Sequence, residues 1–182
     1  MNRDAANIRY HVDPLAYLRL IESMHITLAA LPDAQAILDL QKVAFAKFPN
    51  YPDPQLQPVQ EIEEQIRLGL VLKGVEDGVI VGSVRAYVSG EPGCLSCHIG
   101  RLIVHPAHAR KGYGRQLMDE LERRYAHVHS FQLFTGVADN QTTIDMYFRF
   151  GYSEVRRGYR GTEEEIFMQK MNTAYGQENP PG

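Results

Sequence analysis

The chain has 182 residues, enough for one well-filled core and short for two, so a single domain is expected. Hydrophobic residues make up 44% and charged residues 23%, with net charge −3, which argues against a general nucleic-acid binder. No apolar run is long enough to cross a bilayer, MNRDAANIRYHV at the start lacks the apolar stretch of a secretory signal, and the two cysteines cannot form a disulfide framework, so cytoplasmic residence is the expectation.

Asp13 as N-cap and Pro14 at the first helical position open a short amphipathic helix over 13–24, with Leu15, Leu18 and Ile21 at helical spacing. Residues 26–31 (ITLAAL) read as a strand. Pro32-Asp33 starts a helix through about Phe48, with Ile37, Leu40 and Ala44 on one face. The proline-broken run at 48–58 is a loop, and VQEIEEQIRLG (59–69) returns to helix with Val59, Ile62 and Ile66 inward and Gly69 as its stop. From residue 70 the period changes to two. LVLKGVEDGVIVGSVRAYV (70–88) is two strands around Asp77-Gly78, a strong hairpin signal. After a turn at 90–93, CLSCHIGRLIVHP is a further strand ending at Pro106. A helix runs from about Gly112 to Val128, burying Leu117 and Leu121. FQLFTGV (131–137) is a strand, NQTTIDMYFRFG (140–151) a helix closed by Gly151, and YSEVRRGYR with EEEIFMQKM a last hairpin. The composition of 176–182 reads as disordered. The fold class is therefore mixed α/β (α+β), with one sheet and no internal repeat.

Two stretches carry candidate chemistry. Cys94-Leu95-Ser96-Cys97-His98 has the C-x-x-C-H spacing of covalent haem attachment, and Cys94, Cys97, His105 and His108 together offer a zinc set. Both are remote alternatives, because two residues three apart on a regular strand project to opposite faces. The second stretch is HPAHARKGYG (105–114), where Gly112-x-Gly114 follows a strand and begins a helix. Such a junction binds anions, because the first helical turn has N–H groups without intrahelical partners and carries the positive end of the helix dipole. Glycine keeps Cβ atoms out of the way, and Arg110, Lys111 and Arg115 add mobile cations. A Rossmann reading fails because Leu117 stands where the third glycine belongs, and a P-loop pattern is missing from the sequence.

LIVHPAHARKGYGRQLMDELE (102–122) resembles the acetyl-CoA binding motif of the GNAT superfamily of acyl-CoA N-acyltransferases: a strand often ending in Val-His-Pro, then Q/R-x-x-G-x-G/A, then a long helix. Val104, His105, Pro106, Gly112 and Gly114 match. Ala109 departs, standing where the family has Gln or Arg, with Arg110 next door as the nearest substitute. A second match is independent: Asn140 after the following strand, Tyr147 seven residues on, then Gly151-Tyr152. The element order over 26–172 agrees with that fold. The resemblance implies a mostly antiparallel seven-stranded sheet flanked by helices, with a splayed parallel strand pair at the donor site. It divides the chain into an extension at 1–25, an N-acetyltransferase domain at 26–172 and a flexible tail at 173–182.

The resemblance also implies roles. Acetyl-CoA is the co-substrate, held by Leu102, Ile103, Val104, Ala109, Arg110, Lys111, Gly112, Tyr113, Gly114, Arg115, Asn140 and Tyr147. The amide of Val104 donates to the thioester carbonyl, and Tyr147 is the acid that protonates the leaving thiolate, a phenol of pKa ~10 facing a thiol of pKa ~8.5. His98, fourteen positions before Gly112, falls where some members keep a glutamate as general base. Glu91, His105 or water can do the same work, and a strand histidine with a satisfied hydrogen bond is the plain alternative. Transfer is to a primary amine, on a small molecule or a peptide, in a ternary complex. The runner-up is a CoA-binding module without turnover. The acceptor has no legible code: the segments that build its site carry Phe48, Tyr51 and Tyr159, with acidic runs at 61–65 and 163–165 that suit a cationic amine or simply face water. No metal, nucleic acid or membrane is expected. Relatives commonly dimerise, and whether the 13–24 helix covers a neighbour or its own sheet is left open.

Overall fold

The computed structural model describes residues 24–46 and 57–175. The expected helix at 13–24 except Met24, which is not helical, all but the end of the loop at 48–58, and the tail at 176–182 lie outside these residues. What is described forms one mixed sheet in the order β1-β2-β3-β4-β5-β7-β6, with β1 at His25–Leu28, β2 at Val71–Glu76, β3 at Val79–Ser89, β4 at Ser96–Val104, β5 at Ser130–Gly136, β6 at Ser153–Arg160 and β7 at Glu163–Met171. All neighbours pair antiparallel except β4 and β5, which are parallel. A parallel pair needs a crossover, and α3 (Tyr113–Arg124) supplies it. The other helices are α1 (Ala34–Phe45), α2 (Val59–Arg67) and α4 (Gln141–Arg149).

A pair of helices packs on each face of the sheet. Leu117, Met118 and Leu121 of α3 and Ile144 of α4 pack on Val84, Ala86, Cys97, Phe131 and Ile166 to make the main core. On the other face Ile37 of α1 meets Ile62 and Ile66 of α2, while Leu40 and Ala44 cover Ile103. The β2–β3 hairpin turns on Asp77 and Gly78, both at positive φ, as a two-residue primed turn requires.

Several boundaries differ from the sequence reading, and the helix expected to run through about Phe48 ends at Phe45. The strand expected at 26–31 stops at Leu28, because Leu31–Asp33 form a single 3-10 turn in which the Asp33 carboxylate accepts from Ala30 N at 2.7 Å and Lys73 Nζ at 2.6 Å. The helix expected to reach Val128 ends at Arg124, and Val128 N turns back to Tyr125 O at 3.1 Å. The strand β4 starts at Ser96, so Cys94 precedes it.

Candidate active site

The site begins with an interruption in β4. Against β3, Ser83 pairs with Ile103 and Arg85 with Gly100, so two steps on β3 match three on β4. The extra residue is a bulge at Arg101, whose φ of 56° is unusual for a side-chain-bearing residue. Against β5, pairing covers only Ser96–Ile99 with Ser130–Leu133. Beyond it, both strands continue without bonding each other. His105 N donates to Val81 O at 2.8 Å. Successive N–H groups along a strand point to opposite edges, so that bond turns the Val104 N–H toward β5 and into the gap. A cavity of about 1390 Å³ fills the opening, lined by Gly100–Val104 from β4, Gln132–Gly136 from β5, and Tyr147 from α4.

The loop after β4 brings the start of α3 beside the end of that strand, where a Cβ on Gly114 would stand 4.0 Å from Val104 Cγ2, although none of residues 105–116 lines the cavity itself. Pro106–His108 make a 3-10 turn, and Arg110 and Gly112 are both left-handed, at φ 65° and 83°. Gly112 is the N-cap, no side chain caps the helix, and the bond from Gln116 N to Gly112 O, at 3.1 Å, closes the first turn. A Cβ on Gly112 meets nothing within 4 Å, and one on Gly114 first meets Met146 Sδ at 3.9 Å. The backbone conformation, not crowding, demands glycine at 112. No neighbouring atom crowds the helix start at these two positions.

Behind the loop stands Glu76, at the end of β2. It accepts from Lys111 Nζ at 3.0 and 3.2 Å and from the Tyr113 hydroxyl, and it faces His108 Nδ1. The Tyr113 hydrogen bond is the main influence holding the Glu76 carboxyl below its ordinary pKa; burial opposes it, and Lys111 and His108 reinforce it. This corrects the expectation of three mobile cations. Lys111 is tied to Glu76, and Arg115 to Asp119 at 2.8 and 2.9 Å with its guanidinium 5.1 Å over the Phe150 ring. Arg110 alone of the three has no acidic partner among the described residues. Tyr113 and Ile103 are buried in the core, with the Tyr113 hydroxyl reaching Glu76 and Ile103 also bordering the cavity.

Tyr147 is buried on α4, edge-on to Phe150 and Tyr152 with ring centroids 6.4 and 6.0 Å away. Burial pushes its phenol above the ordinary value, so it keeps its proton through the neutral range. Asn140 donates from Nδ2 to Thr135 Oγ1 at 2.8 Å and Gly136 O at 2.9 Å. These bonds fasten the end of β5 to the start of α4 and so fix one wall of the gap.

His98 shares the cavity with Tyr147. Its Nε2 lies 2.7 Å from Ser89 Oγ and its ring stacks on Tyr87 at 4.9 Å. Desolvation lowers its pKa, which favours the neutral imidazole. The two other base candidates are not among the lining residues: Glu91 is exposed in the turn before β4, and His105 Nδ1 accepts from Ala107 N at 3.2 Å.

The cysteines are separated by burial. Cys94 is exposed and Cys97 sealed under α3, where burial, with the Glu122 charge adding, pushes its thiol up to about 12. The strand-parity argument does not reach Cys94, which is outside the strand, yet the two thiols still fail to share a surface. Among the described residues no three His, Cys, Asp or Glu side chains gather as a metal site.

Sequence reading passed over Arg85, Tyr87, Arg101 and Gln132, all of which line the cavity. Arg85 and Tyr87 carried a signal, since they alternate with the buried Val84 and Ala86 and must face the other way. Arg101 carried none, because a bulge resets the alternation.

A strand pair that parts beside an uncapped helix start agrees with the donor-site architecture that the resemblance to the acyl-CoA N-acyltransferases implied. The Acetyltransferase (GNAT) family matches residues 34–152, and the chain belongs to this family. Solved structures agree on the fold. The chain is similar to the PaiA N-acetyltransferase of Thermoplasma acidophilum in complex with coenzyme A, at 15% identity over 82% of this chain and 99% of that one, TM-score 0.67. It is similar to YncA, a putative acetyltransferase of Salmonella typhimurium with acetyl-CoA, at 23% identity over 83% and 95%, TM-score 0.66. A ribosomal-protein-alanine N-acetyltransferase of Brucella melitensis matches at 24% identity over 81% and 99%, TM-score 0.65. No curated protein matches the sequence.

Proposed function

We propose that this acetyltransferase moves an acetyl group from acetyl-CoA to a primary amine by direct transfer in a ternary complex. The observation that carries the reading is the uncapped, glycine-started helix α3 opening where β4 and β5 separate. The amides at 110–115 hold the pyrophosphate, aided by Arg110, and the loop keeps its shape through Glu76. The pantetheine arm lies in the gap, in place of the missing β4–β5 bonds. The Val104 N–H donates to the thioester carbonyl as charge develops there, at no cost in reorganisation.

His98, neutral at pH 7, takes the proton that an alkylammonium must lose before its nitrogen can attack. As the new C–N bond forms and the C–S bond breaks, Tyr147 gives its proton to the leaving thiolate. The test is release of free thiol from acetyl-CoA. The reading requires release that depends on an added amine, together with calorimetric binding of CoA. Absence of CoA binding at millimolar concentration overturns it, and binding without turnover over a broad amine panel reduces the chain to a CoA-binding module.

A further inference from the structure

On the sheet face covered by α1 and α2, the cavity holds a pair of arginines that the transfer chemistry does not use. Arg85 of β3 pairs in register with Gly100, the residue before Arg101. Its guanidinium lies across that glycine: a Cβ at Gly100 would stand 3.2 Å from Arg85 Nη2. The Arg85 Nε is fully buried with no hydrogen-bond partner. A buried donor of a charged group left unmade is a rare feature that calls for an explanation. Among the described residues the one carboxylate at ion-pair distance, Glu61, is 4.0 Å from Nη1 and already accepts from Gln57 and from Gln65. Arg101, turned by the bulge, sets its guanidinium 5.7 Å over the Phe45 ring.

The electrostatic balance of the cavity points the same way. Burial first, then the charges of Arg85 and Arg160, hold the Arg101 pKa down, with Glu61 opposing. Of the acids that looked able to attract a cationic amine, Glu165 is engaged by Arg160 and Glu164 by Arg157 at 3.3 Å, while Glu163 lines the cavity without an ion pair; among the described lining residues Arg85, Arg101, Arg156 and Arg160 still outnumber Glu61, Glu163 and Glu165. An arginine fork matches carboxylate and phosphate oxygens in pairs, so a ligand anion here answers both the orphaned donor and the like-charge crowding.

We infer that the acceptor is a small amine carrying an anionic group, a carboxylate or a phosphate, received by Arg85 and Arg101 while its amine faces the Val104–Tyr147 end of the cavity. This rests on the acetyltransferase reading for the amine, but the anion site can be tested apart from turnover. The binding probes are N-acetylglycine, the nineteen other standard amino acids as N-acetyl-L forms, and N-acetyl-O-phosphoethanolamine, each against its carboxamide or hydroxyl counterpart. They are titrated into the full chain by calorimetry with and without saturating CoA. At least one acid should bind tenfold or more tighter than its neutral counterpart. Arg85→Met should remove that preference and Arg85→Lys restore part of it, with thermal unfolding showing that both variants fold.

No preference for any acid, or a preference that Arg85→Met leaves unchanged, overturns the inference. Thiol release with the matching free amines supplies the second arm. Acids favoured in kcat/KM support the inference, with the carboxylate or the phosphate member identified by the larger gain. Neutral amines turned over equally well overturn it while leaving acetyl transfer intact. Arg85-dependent acid binding without turnover of any amine leaves the anion site standing and removes the transfer reading.

Discussion

The two halves of β4 make an instructive pair. Ser96–Ile99 is bonded to β3 on one edge and to β5 on the other, and it seals Cys97 beneath α3. Gly100–Val104 is bulged, bonded to β3 alone, and borders the cavity. The closed half and the turn before it hold the reactive-looking letters, Cys97 and His98 in the strand and Cys94 just ahead of it; the open half reads Gly-Arg-Leu-Ile-Val. Chemistry goes where backbone hydrogen-bonding capacity is left over. Of the conspicuous residues only His98 takes part, because it sits on the cavity side of the strand.

The largest expected effect contrasts two glycines. Gly112 and Gly93 are both left-handed, at φ 83° and 85°, with open space around the Cβ position. Glutamate at either position carries about 1–2 kcal/mol of backbone strain. Only at Gly112 does it also place a negative charge where the pyrophosphate should sit. Gly112→Glu should weaken CoA binding by about a hundredfold or more, roughly 3 kcal/mol, measured by calorimetry. Gly93→Glu should lose comparable thermal stability and keep its affinity. Equal losses of affinity in both would remove the distinction between the open and closed ends.

Next comes Tyr147→Phe, which deletes the proposed acid without altering the wall of the gap. Loss of a general acid should lower kcat by roughly a hundredfold, with CoA affinity held within about twofold. A fall in affinity with kcat preserved would make Tyr147 a packing residue. For His98→Gln the expected loss is smaller, about tenfold in kcat/KM at pH 7, since water can stand in for the base. The pH profile is the sharper readout. A desolvated imidazole titrates below the ordinary ~6.5 and works only when neutral, so the rate should rise with pH through a value below that point and then level off. The variant should lose this acidic limb; a limb that persists in His98→Gln belongs to another group.

Much of the scaffold was written in local sequence. The Asp77-Gly78 turn, the amphipathic α2 and α3, and the helix start at Gly112 follow from periodicity and from φ preferences that a few residues fix. The end of the β4–β5 ladder at Ile99 has no such trace, because parting of strands is decided by what packs between them. The bulge at Arg101 puts a side-chain-bearing residue at positive φ, and Gly100 just before it is the only local trace in a run that otherwise reads as strand. Glu76 reaches Lys111 across 35 positions, and Arg85 lies over Gly100 through ladder register. Pairings of that kind appear only once the sheet order is known. The motif at 102–122 marked where the donor site is, while the groups facing the acceptor came from the fold.

The smallest effect tests the closed half by itself and needs no variant. Thiolate is the form that attacks a disulfide reagent. With its thiol pushed up to about 12, Cys97 is ionised in roughly one molecule in ten thousand at pH 8, and it is fully covered besides. Cys94 is exposed. Native protein should therefore release one equivalent of chromophore quickly, with the second following only on unfolding. Saturating CoA should change neither step, because the ligand occupies the other end of the strand. If both thiols react together, the seal under α3 is not there. If CoA slows the first, the two ends of β4 are coupled, and the division between them is one of degree.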